Sequence, residues 1–353
     1  MLESTASSDS SEHPPCTTHP DEPRPWTRVL ADALRGAPLD LTSAPLGSAL
    51  LMLAIPMILE MAMESIFAIA DVFWVSHLGA AAIATVGLTE SMMTIVYSLA
   101  MGVSIGVMAL VARRVGEKDV GGAERSTAQG ILLGLAIAFG LGAVGARFAP
   151  DLLRLMGADS DVIETGSSFT RVMLGANASA FLLFLINAAF RGAGDAAFAM
   201  RVLCFGNLLN IVLGPCLIFG WGPFPALGVT GAALATNIGR GSAVLYQLYL
   251  LGSGRSRLRV RWAHFALDLQ VMDRVLRLSG SATLQMLLST TSYIGVMRIL
   301  SSFGSAPLAG YTIGFRLLMF ALLPAFGLGN AAATMVGQNL GAGRPERAES
   351  AVW

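Results

Sequence analysis

Three carboxylates stand in an otherwise apolar run. Glu60, Glu64 and Asp71 fall within the stretch from Ser48 to Ser76, Glu64 four residues and Asp71 eleven residues after Glu60. On a helix turning about 100° per residue, all three project within roughly 40° of one another. Phe67 lies between them on that face. An ionisable side chain at membrane depth is costly, so it faces a partner or a water-filled cavity. Two chemistries fit. Protonated acids could tie neighbouring helices together, or the row could carry a proton or a cation. Three acids on one stripe favour the pathway. Asn187 and Asn210, like the other asparagines of the later apolar runs, individually read as interhelical glue, though amide carbonyls are hard oxygens of the kind that coordinate cations. Asn177, Asn207 and Asn237 read as hydrogen-bonding glue between helices.

Other patterns carry less. Gly102-Val-Ser-Ile-Gly106 matches the G-x-S-x-G signature of serine hydrolases. It lies inside an apolar helix with no histidine at membrane depth to serve as base, so close packing of small residues is the better reading. Arg191-Gly-Ala-Gly-Asp195 lacks the Lys-Ser/Thr of a phosphate loop and reads as a turn between two spans. Cys16, Cys204 and Cys216 show no metal-ligand spacing. His13 and His19 are in the polar N-terminal stretch, His77 ends the first span and His264 is in a basic loop. No adenine-nucleotide motif is present, so an ion gradient is the expected energy source and no cofactor is expected.

The elements that must position these residues are membrane helices. The 353 residues are 54% hydrophobic and 13% charged, with a mean hydropathy of +0.65; soluble domains carry about 25% charged residues. The formal net charge is zero, which implies no nucleic-acid partner. An all-α polytopic membrane protein follows. Eight spans are predicted near 48–76, 85–112, 126–148, 163–190, 198–220, 228–252, 273–302 and 309–337. Residues 1–46 read as a disordered cytoplasmic tail with a short interfacial helix at 26–35. Residues 253–272 read as a basic cytoplasmic linker. Arginine and lysine crowd the loops after the even spans, which places those loops and the N-terminus in the cytoplasm. An inner-membrane, multi-pass monomer is expected, with lipid and small organic molecules as its partners.

The sequence also repeats. Shifted by 225 residues without a gap, Gly102 meets Gly327, Val111 meets Val336, Gly116 meets Gly341, and Ala123-Glu124 meets Ala348-Glu349. Six spans separate equivalents, so both copies start on the same side and are parallel repeats about an axis along the membrane normal. The copies divide the chain into a first lobe at 47–252 and the start of a second at 273–353. The second copy has two spans where the first has six, so the expectation is a C-terminally truncated chain, inactive in transport, whose reading frame continues into about four more apolar runs. The same shift puts Gln285, Ser289 and Val296 at the places of Glu60, Glu64 and Asp71. The acids are confined to the first copy, which points to a function there.

Ile69-Ala-Asp-Val-Phe-Trp-Val-Ser-His-Leu-Gly79, Phe190-Arg-Gly-Ala-Gly-Asp195, Asn207-Leu-Leu-Asn-Ile-Val-Leu-Gly-Pro215 and Val336-Gly-Gln-Asn-Leu-Gly-Ala-Gly343 resemble the MATE (multidrug and toxic compound extrusion) family from about residue 47 onward. The resemblance implies two six-helix lobes around a central cavity, rocking between outward- and inward-open states. It implies export of organic, often cationic, compounds against H⁺ or Na⁺ entry. Asp71 is similar to the family's first-helix aspartate, and Asn187 and Asn210 to its fourth- and fifth-helix asparagines. A Na⁺ site would then combine Asp71, Asn187 and Asn210. In several members an aspartate follows the fifth-helix asparagine by four residues; here that position is Gly214. The expected coupling residues are Asp71, Glu60 and Glu64, with Asn187, Asn210 and Phe67 binding cation or cargo. Coupling to H⁺ is favoured over Na⁺. A lipid-linked sugar flippase, whose site would need cationic walls, and an intramembrane hydrolase using Ser104 are the alternatives.

Overall fold

The computed structural model describes residues 26–37, 39–301 and 305–353. Within them the chain runs as α1 (Trp26–Arg35), α2 (Leu46–Ser76), α3 (Ala80–Gly116), α4 (Val120–Arg147), α5 (Ala149–Leu155) and α6 (Ser160–Gly175). It continues as α7 (Ala178–Ala193), α8 (Ala196–Phe219), α9 (Gly228–Ser253), α10 (Leu269–Ser301), α11 (Ser305–Gly341) and α12 (Pro345–Val352). A 3₁₀ turn at Trp262–Phe265 interrupts the linker. The fold is an all-helical bundle.

Among the described residues five stretches are long and apolar enough to cross a bilayer: α2, α3, α4, the stretch Ser160–Ala193 and α8. The other three expected spans are occupied by α9, α10 and α11, of 26, 33 and 37 residues. Among the described residues α9 and α10 are too polar to stand out by composition; α9 carries Asn237, Arg240 and Gln247. The span expected at 163–190 is two helices, α6 and α7, meeting at Ala176-Asn177. There the buried Asn177 donates its Nδ2 to Leu174 O at 2.8 Å, and a side chain that bonds the backbone competes with helical pairing.

One assignment is corrected. Residues 26–37 and 39–46 are not a disordered tail. α1 buries Val29 and Ala33, and Leu41 is 3% exposed. Arginines tie its carbonyls to the bundle: Arg201 donates to Leu34 O at 2.7 Å and Arg257 to Leu39 O at 3.0 Å. Arg344 donates to Thr42 O at 2.6 Å, and Arg347 to Ala44 O. Low hydropathy hid this stretch because its order comes from tertiary contacts rather than its own core. Cys16, His13 and His19 lie outside the described residues.

The repeat is structural. α3 at 80–116 and α11 at 305–341 have equal length and the same 225-residue offset at both ends, and α12 begins at the equivalent of α4. The contacts are reciprocal, as a two-fold axis requires. α3 packs on α10, and the equivalent pair, α11 and α2, also packs. A Cβ on Gly102 would lie 2.6 Å from Thr283 Cα; its equivalent Gly327 faces Ile58, the equivalent of Thr283. A Cβ on Gly116 would sit 2.0 Å from Gln338 O, and one on Gly341 would sit 2.1 Å from Arg113 O, again an equivalent pair. Close backbone approach through small residues is how membrane helices gain packing energy.

Gly116→Ala and Gly341→Ala are expected to lower stability by about 1–3 kcal/mol each, because the obstructing atoms are backbone and cannot yield. Gly87→Ala, where nothing lies within 4 Å of the added methyl, is expected to be neutral. Thermal melts of the purified variants in detergent check the contrast.

Candidate cation and cargo site between the repeats

The acid stripe on α2 reaches three sets of partners. Glu60 is 5% exposed. Its Oε1 accepts from Asn187 Nδ2 on α7 at 3.2 Å and from Arg191 Nη1 at 3.2 Å. Behind Asn187, Gln247 on α9 donates to Asn187 Oδ1 at 2.7 Å and to Leu183 O at 3.2 Å. A relay from α9 through α7 therefore fixes Glu60 as an acceptor. One helical turn on, Glu64 Oε2 accepts from Asn207 Nδ2 on α8 at 2.9 Å.

Two turns further, Asp71 is half-buried in the fields of Glu90 on α3 and Arg240 on α9. The Arg240 guanidinium is 5.8 Å from the Phe67 ring centroid and 5.5 Å from that of Tyr97. Its Nη1 donates to Tyr97 Oη at 2.8 Å. Glu64 and Asp71 are the carboxylates that act on it most strongly.

A cavity of about 370 Å³ opens beside the lower two acids. Glu60, Glu64, Ser104, Arg191 and Asn330 are its polar wall, and Met61, Met101, Met108, Met286, Phe184 and Phe326 dominate the rest. The wall draws on both copies of the repeat, since Met286 is on α10 and Phe326 and Asn330 are on α11. Flexible thioethers and aromatic rings suit an apolar guest of variable shape. Three wall groups contain a buried polar atom without a partner: Glu60 Oε2, Arg191 Nε and Ser104 Oγ.

The expected residues are only partly assembled. Glu60 and Glu64 share the cavity. Phe67 does not line it; the ring is 8% exposed and lies under Arg240. Asp71, Asn187 and Asn210 do not form one ligand set. Asn187 bonds Glu60, about 16 Å along α2 from Asp71 at 1.5 Å per residue, and Asn210 donates to Thr236 Oγ1 at 2.9 Å. Among the described residues no group of three or more His, Cys, Asp or Glu could hold a metal. Beside Gly214, Trp74 Cδ1 would lie 3.6 Å from an added Cβ, so the indole borders the space of the absent aspartate.

Sequence reasoning passed over Arg191, which it took for a loop charge, and Gln247. Arg240 on α9 hydrogen-bonds Tyr97 and covers the Phe67 ring. A glutamine and an arginine inside one apolar helix were the available signal. Arg316 has a side chain outside the described residues.

Asp195, beside the Arg191 turn, is a structural staple. Its Oδ2 accepts from Ser256 Oγ and from Arg257 N, each at 2.7 Å. Burial pushes its carboxyl above the usual range despite these bonds. Asp195→Ala leaves two buried donors unmet, at a cost of about 1–3 kcal/mol. Limited trypsin digestion is expected to cut at Arg255–Arg261 faster in this variant than in the unaltered chain.

A family model described as MatE matches residues 56–216 and 282–353. The chain belongs to the MatE family. Its members are transporters rather than enzymes, so Ser104 is a cavity wall and not a nucleophile. Among MatE relatives, a protein of Shewanella oneidensis named an FAD transporter is 28% identical over 322 residues, covering 88% of this chain and 69% of that one. The Bacillus subtilis probable multidrug resistance protein YoeA is 26% identical, covering 84% and 65%. Solved structures match closely. A MOP superfamily transporter from Pyrococcus furiosus has a TM-score of 0.81 at 27% identity, covering 88% of this chain and 68% of that one. A MATE structure in complex with MaD3S gives 0.82 at 27%, covering 88% and 70%. The chain spans about two thirds of the length of such MatE relatives.

Proposed function

We propose that this protein is part of a secondary antiporter that exports organic, drug-like compounds across the cytoplasmic membrane by alternating access, driven by cation entry. The observation that carries this reading is the cavity between the repeats, apolar except for a few polar groups that include Glu60 and Glu64. Desolvated acids in such a place attract a cation or a proton. Relatives named as multidrug resistance and multidrug export proteins support the cargo class. The relative named as an FAD transporter widens it beyond simple cations. A lipid-linked sugar flippase is disfavoured because two carboxylates on the wall oppose a pyrophosphate.

H⁺ is the proposed coupling ion, and Asp71 its carrier. Sodium needs several fixed oxygens around one point. The distance of Asn187 from Asp71, the glycine at 214 and the guanidinium of Arg240 beside Asp71 all argue against such a cage. Protonation needs only one carboxylate whose surroundings alternate between wet and dry. The N-terminus is proposed to be cytoplasmic.

Cargo flux in proteoliposomes of the whole antiporter of which this chain is part, under an imposed pH gradient and then under an imposed Na⁺ gradient, tests the reading. A pH gradient alone should drive export. Export driven by Na⁺ alone would sink the proton assignment, and no flux of any tested organic compound under either gradient would sink the antiporter.

A further inference from the structure

We propose that the Glu60–Arg191 pair is a two-sign anchor, so that the cavity takes zwitterionic amphiphiles, with an acidic and a basic group on one apolar frame, ahead of simple cations. This rests on the reading that the cavity holds the cargo.

The pair stands at the cavity wall with both side chains largely withdrawn from solvent, 11% exposed for Arg191 and 7% for Glu60. It is held by a single contact, Arg191 Nη1 to Glu60 Oε1 at 3.2 Å. Glu60 Oε2 and Arg191 Nε are buried and unmet, and so is Ser104 Oγ on the same wall. A bare cation that takes Glu60 strips Arg191 of its partner and leaves a guanidinium unpaired in a dry site. Breaking one side of such a pair is heavily penalised. A bare anion on Arg191 leaves Glu60 in the same state. A zwitterion exchanges one ion pair for two, and opening the pair gives Oε2 and Nε their missing partners. Glu64, the remaining acid of the wall, lies in the field of Arg240 and already accepts from Asn207.

A second observation concerns the approach. The cavity shares Ile105 and Met108 with a groove of about 1070 Å³ between α3, α10 and α11. Arg113, Arg114, Arg274 and Arg277 line that groove; Glu117 pairs with Arg113 and Arg114, Asp119 with Arg114 and Asp273 with Arg277, which leaves one positive charge in excess. An approach with that excess positive charge favours molecules bearing an acid over bare cations.

The test uses a rhodamine free acid, which is zwitterionic, and its methyl ester, a cation on the same ring system. Binding of each to the purified 353-residue chain in detergent is read by fluorescence anisotropy against protein-free micelles. The free acid is expected to bind at least as tightly as the ester. Arg191→Gln should weaken the free acid about tenfold or more, the loss of a charge-assisted bidentate partner, and leave the ester unchanged or tighter. Glu60→Gln should weaken the ester more than Arg191→Gln does. Because a single change could unfold the chain, the charge-neutral double variant Glu60→Gln/Arg191→Gln is measured alongside, with a thermal melt. It should fold and lose the preference for the free acid. Ester binding without free-acid binding, equal effects of Arg191→Gln on both probes, or a double variant that keeps the preference would each overturn the anchor while leaving the cargo cavity intact. A wild-type chain that binds neither probe would overturn the cargo-cavity reading, and the anchor with it.

Discussion

Asp71→Asn is expected to abolish gradient-driven export while leaving the amount of membrane-inserted protein and its melting temperature unchanged. Asn has nearly the shape of a protonated Asp, so packing on α2 survives. It cannot gain or lose a proton, so the step that ties ion entry to cargo release disappears. Asp71 suits that step because it is half-buried beside Glu90 and Arg240, where small changes in hydration change the balance of charges. Glu60 and Glu64 are engaged by Asn187, Arg191 and Asn207, so Glu60→Gln and Glu64→Gln should weaken export without uncoupling it. Side-by-side flux in proteoliposomes of the whole antiporter decides this. Undiminished pH-driven export by Asp71→Asn would remove Asp71 from the mechanism.

Arg240→Gln should have the next largest effect. The guanidinium acts on all three carboxylates Glu64, Asp71 and Glu90, and it also covers the rings of Phe67 and Tyr97. Its removal leaves like charges facing one another. The expected cost is about 2 kcal/mol, under the range for a fully buried pair because Glu90 and Asp71 are partly open to solvent. Arg240→Lys restores the charge without the planar fork, so it should recover stability only in part. The cluster without its resident cation should accept a small one. Replacing choline chloride by NaCl at constant ionic strength is therefore expected to raise the melting temperature of Arg240→Gln by several degrees, by mass action, and leave wild type unmoved. Equal Na⁺ stabilisation of both proteins would show that Arg240 does not stand where a cation would bind.

The sequence by itself determined the helical class, the long helices other than the broken fourth span, the 225-residue repeat and the acid stripe. Each depends on a local or periodic signal. Hydropathy runs mark spans because a bilayer demands them, a fixed offset survives in the glycines at the crossings, and 3.6-residue geometry puts Glu60, Glu64 and Asp71 on one face. The tertiary structure decided what each acid meets. Glu60 meets Asn187 and Arg191, 127 and 131 residues away, and Asp71 lies in the field of Arg240, pairings that no periodicity records. Distance along α2 separated Asn187 from Asp71 and dissolved the expected cation cage. The order of residues 26–37 and 39–46 likewise depends on Arg201, Arg257, Arg344 and Arg347 reaching back to their carbonyls. Local composition reports how well a segment can bury itself, whereas a polar residue's partner is set by which helices pack together, and that is fixed only when the whole bundle closes.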